Sequence, residues 1–370
     1  MLESFMPPKR TLMGPGPSDV HPRILSAMGR PTIGHLDPEF IRMMDEVKEL
    51  IQYAFQTRNE LTFCVSAPGS AGMESCFVNL LEPGDTAIVC VNGVFGTRML
   101  ENVKRCGATA VRVDDAWGSP VAADKLEAAL QANPDAKLVA FVHAETSTGV
   151  QSDAKALCAL ASQYNCLSIV DCVTSLGGIP VELDAWGADA AYSGSQKCLS
   201  CSPGLSPVSF SERAAQVVRE RSAPVQSWFL DLNLLMGYWG EGAKRAYHHT
   251  APINALYGLH EALLMLQQEG LQTSFARHAA MHQKLREGLN SMGIEFVVQE
   301  PYRLPQLNSV YIPDGADDAA VRKRLLDNHG LEIGAGLGDF AGKVWRIGLM
   351  GYSAREENIE HCLAALKASL

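Results

Sequence analysis

Three charged residues stand where apolar stretches give way to polar ones. Lys197 closes SGSQK (Ser193–Lys197), behind the apolar ADAAY and ahead of the turn-rich CLSCSPGLS. A lysine among small residues at a strand end is partly desolvated. Desolvation lowers its pKa and leaves a neutral amine able to form a Schiff base with a carbonyl. Asp171 ends the apolar CLSIV within VDCVTSLGG (Val170–Gly178). A carboxylate at the end of a buried strand needs a partner. A protonated pyridine nitrogen is such a partner, and the pairing lets the ring accept electrons from a carbanion. Arg346 is a lone charge inside the apolar KVWRIGL. A buried guanidinium calls for an anion, and its fork matches a carboxylate. Plainer readings stand beside each: a loop lysine, an Asp capping the next turn, an internal salt bridge.

These residues need a scaffold, and the hydropathy pattern describes one. Short runs rich in Val, Ile and Ala (LTFCV, TAIVCV, TAVRV, KLVAFVH, CLSIVD) alternate with helical spacings such as KLEAALQAN and AKALCALASQYN. The strands are near-continuously apolar, as in a mostly parallel sheet covered by helices on both faces. The fold class read here is α/β, with a large domain over 21–257 behind an N-terminal arm, 1–20. From about Tyr257 the pattern changes to one long helical stretch, then strands FVV, LNSVYIP and KVWRIGL, a helix in AAVRKRLLDNHG and a last helix from about Ala354. This is a smaller α+β domain, 258–370. In open α/β sheets ligands bind beyond the carboxyl ends of the strands, where Asp171 and Lys197 fall.

Composition narrows the function. The chain has 370 residues, enough for one large core and a second smaller one. A net charge of −10 gives no basic footprint for nucleic acid. No apolar run is long enough to span a bilayer, and MLESFMPPKR lacks a signal-peptide core. The ten cysteines sit mostly in apolar stretches, as reduced thiols do in a cytoplasmic protein, which is the expected location. Cys198 and Cys201 form a C-x-x-C with no second ligand pair, and His248 and His249 are adjacent without a carboxylate pattern, so no metal is expected. GAGLGDF (Gly334–Phe340) opens no well-formed βαβ unit and reads as a flexible loop.

The run from IVDCVTSLGG to SGSQKCLSCSPGLSPVSFS resembles the class V aminotransferases, and within them the alanine–glyoxylate and serine–pyruvate group. The similarity extends from LMGPGPSDV (Leu12–Val20) to GKVWRIGLMG (Gly342–Gly351). It implies a fold-type-I enzyme in which Lys197 binds pyridoxal 5′-phosphate (PLP) and moves a proton as base and acid, and Asp171 pairs with the ring nitrogen. Gly69, Ser70 and Ala71, at the start of a helix, are implied to cradle the phosphate, as helix N-termini do. Gln196 is implied to help them, Phe95 to stack on the ring and Thr146 to reach O3′. Two positions depart from the pattern: relatives often carry histidine at Ser70 and tryptophan at Phe95. Tyr247 and Thr250, in YHHT, are implied to reach the cofactor phosphate of a second subunit, which makes the protein a homodimer with shared active sites. Arg346 is implied to clamp the substrate carboxylate, with Gly16 and His35 lying over the substrate. His35 matches the alanine–glyoxylate side, since ureidoglycine–glyoxylate relatives tend to carry glutamine there. The implied reaction is ping-pong transamination between alanine or serine and glyoxylate or pyruvate. A ureidoglycine–glyoxylate aminotransferase, a lyase such as a cysteine desulfurase, and a non-enzymatic protein of the same fold are the competing readings.

Overall fold

Seven apolar segments pair into one sheet: β1 (Leu61–Val65), β2 (Thr86–Val91), β3 (Thr109–Asp114), β4 (Leu138–Val142), β5 (Leu167–Asp171), β6 (Ala190–Tyr192) and β7 (Ser206–Phe210). In the computed structural model, which describes residues 2–240 and 245–370, their order is β1-β7-β6-β5-β4-β2-β3. All neighbours are parallel except β7, which runs antiparallel to both β1 and β6. Every residue of β4 and β5 is buried, because helices cover both faces. The helix Pro38–Phe55 illustrates the local signals. Asp37 caps it by accepting from Glu39 N–H (2.8 Å), Pro38 begins it, and Gln56 ends it in the left-handed region.

The smaller sheet has β8 (Leu307–Tyr311), β9 (Gly334–Ala335) and β10 (Val344–Gly348), in the order β8-β10-β9 and antiparallel throughout. Helices Leu271–Ser291, Asp318–His329 and Glu356–Ser369 pack with it around a second core that includes Leu285, Val321, Trp345 and Leu366. Met13, from the N-terminal arm, is buried in that core, and Thr11–Leu12 pairs in parallel with Leu331–Glu332. Gly348 N–H donates to Met13 O (2.7 Å).

Several local expectations differ from what the chain does. The long helical stretch breaks at Gly270 into Ile253–Glu269 and Leu271–Ser291. The first of these runs through the expected division at 257/258, and its Leu256, Leu259, Leu263 and Leu266 lie in the large core. We propose to set the division within the second helix instead. FVV forms no strand; Phe296 makes an isolated bridge to Val310. GAGLGDF is more ordered than a flexible loop: Gly334–Ala335 is β9, paired with Arg346 and Trp345, and Gly338–Phe340 is a 3₁₀ turn. Its glycines carry no apolar signal, so the pairing is decided by the partner strand. Among the described residues no helix is long and apolar enough to cross a membrane.

Candidate active site

Asp171 is the last residue of β5, and its carboxyl is buried beneath the ends of the sheet. Oδ2 accepts from the Tyr192 hydroxyl (2.7 Å), and Oδ1 accepts from Val173 N–H (2.8 Å). Burial raises its pKa to about 6, against the opposing pull of those two donors and of the Lys197 and Arg98 charges. Among the described residues it forms no ion pair, so a carboxylate with two hydrogen bonds still lacks a cation.

Lys197 follows β6 by five residues and is 9 % exposed. Its Nζ donates to Pro15 O. Burial, and then the positive charge of Arg346, lowers its pKa to about 8. The amine is therefore far easier to deprotonate than a surface lysine. Gly16 lies against this side chain: its φ is +109°, and a Cβ there would fall 2.8 Å from Lys197 Cδ, so only glycine fits.

Arg346 sits in the middle of β10, buried. Its Nε donates to Ala335 O (2.7 Å) and its NH1 to Thr146 O (3.2 Å). The sequence pointed to an anionic partner, but among the described residues Arg346 forms no salt bridge. Two backbone carbonyls orient the guanidinium and leave its charge uncompensated. Burial lowers its pKa to about 10, opposed by the attraction of Glu145.

Glu145 is the residue that sequence reasoning missed. It is fully buried, and burial raises its pKa to about 7. It accepts from Ser147 N–H (3.0 Å), Ser147 Oγ (2.6 Å) and Phe95 N–H (3.3 Å). It thereby ties the turn carrying Thr146 to the start of the helix Val94–Arg105. A weaker form of the signal that exposed Asp171 was present here, since Glu145 lies three residues past the apolar β4 while Asp171 ends its strand. Arg98 was also overlooked. It lies one turn after Phe95 on the same helix, with its guanidinium 5.0 Å from the Phe95 ring centre.

The other expected contacts divide into two groups. The helix Gly69–Leu80 starts behind Pro68 with no side chain capping it, and Ala71 N–H closes the first turn on Pro68 O (2.7 Å). Gly69 is buried, and a Cβ there would fall 3.3 Å from Ser193 O, while Ser70 is exposed and its hydroxyl accepts from Arg98 NH1 (3.4 Å). The Thr146 hydroxyl meets that of Thr174. Gln196 has a buried Oε1 without a partner among the described residues. Tyr247, Thr250 and His35 form a separate cluster. Tyr247 is 61 % exposed, its hydroxyl is 3.4 Å from Thr250 Oγ1, and its ring is 5.1 Å from His35. His249, between them, meets Ser66 Oγ (2.7 Å) just past β1.

An acid that lacks a cation among the described residues, a low-pKa lysine, a guanidinium that lacks an anion among them and an uncapped helix start match the donors and acceptors of PLP and an amino acid. The aminotransferase class-V family model matches residues 21–360. The chain belongs to that family. It is 40 % identical over 365 residues to the alanine–glyoxylate aminotransferase of Rattus norvegicus, covering 98 % of this chain and 88 % of that one. It is 36 % identical over 382 residues to the (S)-ureidoglycine–glyoxylate transaminase of Bacillus subtilis (strain 168), covering 98 % and 91 %. The crystal structure of an alanine–glyoxylate aminotransferase from Nostoc sp. superposes with a TM-score of 0.97 at 46 % identity, covering 100 % of this chain and 97 % of that one. The protein is thus a fold-type-I, PLP-dependent aminotransferase. Its chemistry is transamination.

Proposed function

We propose that this aminotransferase moves an amino group from alanine or serine to glyoxylate or pyruvate. The observation that carries this reading is the charge pattern around Lys197: one buried guanidinium, Arg346, and beside it a buried acid, Glu145. One cation fits one carboxylate. A substrate with a single carboxylate, such as alanine or serine, satisfies it. The likeness to the rat and Nostoc enzymes supports the same substrates, and the likeness to the Bacillus enzyme makes ureidoglycine the rival donor.

Bound PLP supplies the sink for the electrons left when the substrate's Cα proton departs. In the roles we assign, Arg346 NH1 and NH2 hold the substrate carboxylate in a bidentate pair. Lys197 Nζ takes the Cα proton and later returns it, a task suited to a pKa near 8. Asp171 holds a proton on the ring nitrogen, and that cation draws the carboxyl back to its ionised form. The N–H groups of Gly69 and Ser70, with the Gln196 side-chain NH2, would receive the phosphate, while the Ala71 N–H is held by Pro68 O and supports the turn; Phe95 would cover the ring and the Thr146 hydroxyl would contact O3′. We assign Gly16 to the substrate side beside Lys197, and His35, which clusters with Tyr247, to the substrate side of the second copy's site.

We assign Tyr247 and Thr250 to the phosphate of a second copy, in a homodimer with shared sites. Their exposure and their separate cluster around His35 support this. A cytoplasmic setting agrees with ten free thiols. A desulfurase reading loses its nucleophile, since burial pushes the Cys198 and Cys201 thiols up to about 12 and about 11.

The test is the absorbance of the PLP-loaded protein with L-alanine, L-serine, L-aspartate and ureidoglycine added separately. Bleaching of the protein-bound PLP band by alanine or serine, restored by glyoxylate, supports the reading. A response to ureidoglycine or aspartate alone overturns it. Initial rates should show parallel double-reciprocal lines, as a ping-pong reaction requires.

A further inference from the structure

Around Lys197 three separate parts of the chain meet on one small side chain. Ser18, in the N-terminal arm, is buried. Its N–H donates to Gln196 O (3.0 Å), and its hydroxyl donates to Lys197 O (2.8 Å), with Gln196 O at 3.2 Å. Both carbonyls flanking the Lys197 Cα are therefore held by one residue more than 170 positions away. The Ser18 hydroxyl is also 3.3 Å from Ser200 Oγ. Ser200 is a non-glycine residue in the left-handed region (φ 52°), a conformation that its surroundings must impose.

Ser200 Oγ in turn accepts from Tyr352 N–H (2.7 Å). Tyr352 lies in the 3₁₀ turn Gly351–Ser353, a few residues past Arg346 on the same outgoing chain. That turn is fixed from behind. Gly351 N–H donates to His278 Nε2 (2.9 Å), and Arg277 NH1 donates to Gly351 O (2.8 Å). Burial keeps His278 neutral, with its pKa lowered to about 4, so its ring nitrogen accepts. Ser353 Oγ receives Asp19 N–H (2.9 Å) and donates to Leu12 O (2.9 Å). The arm, the lysine loop and the turn after β10 thus share one hydrogen-bonded joint, with Ser18 at its centre.

We propose that Ser18 is a positioning residue for Lys197: its hydroxyl and N–H hold the lysine's backbone and, through Ser200, lock it to the small-domain turn that follows Arg346. The proposal rests on Lys197 being the cofactor lysine. The long Lys197 side chain has four rotatable bonds, so its amine is placed by two constraints. One is the packing against Pro15 and Gly16, and the other is the position of its own Cα. Ser18 supplies the second and, through the same short segment, the first. Arg346 and Lys197 act on the same substrate from different domains, and this joint sets the distance between them.

The variant is Ser18→Ala, read in two ways. In the apoprotein, acetic anhydride labels Lys197 across a pH series, and peptide mass spectrometry gives the midpoint of its reactivity. Release from the buried seat should raise that midpoint by about one pH unit, since desolvation is what lowers it. In the loaded enzyme, kcat with L-alanine and glyoxylate should fall about tenfold with KM changed by less than about threefold, the mark of misplaced chemistry and intact binding. A lower melting temperature with an unchanged midpoint and kcat would make Ser18 a stability residue only and overturn the proposal. Should Ser18→Ala yield no folded protein, Ser200→Ala decides by the same two readouts, because it cuts the joint on the other side. An inactive Ser18→Ala beside an active Lys197→Ala would instead overturn the lysine assignment, a failure distinct from that of the joint.

Discussion

The two ends of the main sheet each bury an aspartate, and they treat it differently. At the amino ends of β5 and β6, Asp189 accepts from Ser168 N–H (2.9 Å), Ser211 Oγ (3.0 Å) and Arg213, whose Nε and NH2 lie at 2.9 and 2.6 Å. At the carboxyl ends of the same pair of strands, Asp171 has the Tyr192 hydroxyl, one backbone N–H and, among the described residues, no cation. The first aspartate is complete within the chain and fastens the helix Glu212–Arg219 to the sheet. The second is left one partner short. A buried charge that the fold does not satisfy is maintained against its own cost, and among the described residues Asp171, Lys197 and Arg346 are such charges and stand together.

The contrast breaks most sharply at Lys197. Lys197→Ala should lower turnover by about 10³-fold or more, measured by pyruvate release from alanine and glyoxylate. Full activity would place the reactive amine elsewhere. Arg346→Ala should reduce kcat/KM by about 2–5 kcal/mol in carboxylate recognition, and unchanged kinetics would mean another group holds the carboxylate. The two aspartates give a paired test. Asp171→Asn should lower kcat about 10²-fold with little change in melting temperature, because it keeps the hydrogen-bonding shape and loses only charge. Asp189→Asn should do the reverse, losing about 2–3 kcal/mol of stability with kcat nearly unchanged. If both variants lose stability and neither loses kcat, the two ends of the sheet are alike.

The smallest effect sharpens the comparison by pH. Glu145 has a folded pKa of about 7 against an ordinary value of 4.5. Between those values the folded protein holds a proton that the unfolded chain has released. The group's contribution is therefore fully present below pH about 4.5 and is lost as pH rises through about 7. Glu145→Gln should remove that decline, worth on the order of 2 kcal/mol, in melting curves of the apoprotein between pH 5 and 8 (about three pH units). Parallel curves for the two proteins would mean that the carboxyl is ionised throughout.

The sequence shows the two strand-end residues because each breaks a purely apolar run, and an acid or lysine there has few structural uses. The parallel sheet was legible for the same reason, since its strands are apolar on both faces. Glu145 escaped notice among the hydroxyls of ETSTG, because it lies three residues past the end of β4 rather than on the strand's last position, where Asp171 ends β5. The Ser18 joint was not legible: nothing in GPGPSDV says that its serine meets residues 196, 197 and 200, since only tertiary folding brings them together. The same holds for β9, whose glycines pair with Arg346 and Trp345 because β10 offers a free edge. Gly270 was readable as a helix break, yet the apolar spacing on both sides hid it.

Thr11–Leu12 lies beside Leu331–Glu332, and Met13 fills a core made otherwise of residues 285–366. A chain built from its amino end exposes these residues early and supplies their neighbours some 320 positions later. During synthesis the arm therefore waits, unpaired, while the whole large sheet forms behind it. The arm's partners in the small domain come late in the chain, and the arm they hold is the segment that brings Gly16 and Ser18 against Lys197. A chain interrupted before residue 331 would therefore carry the lysine with an arm that has lost its anchor.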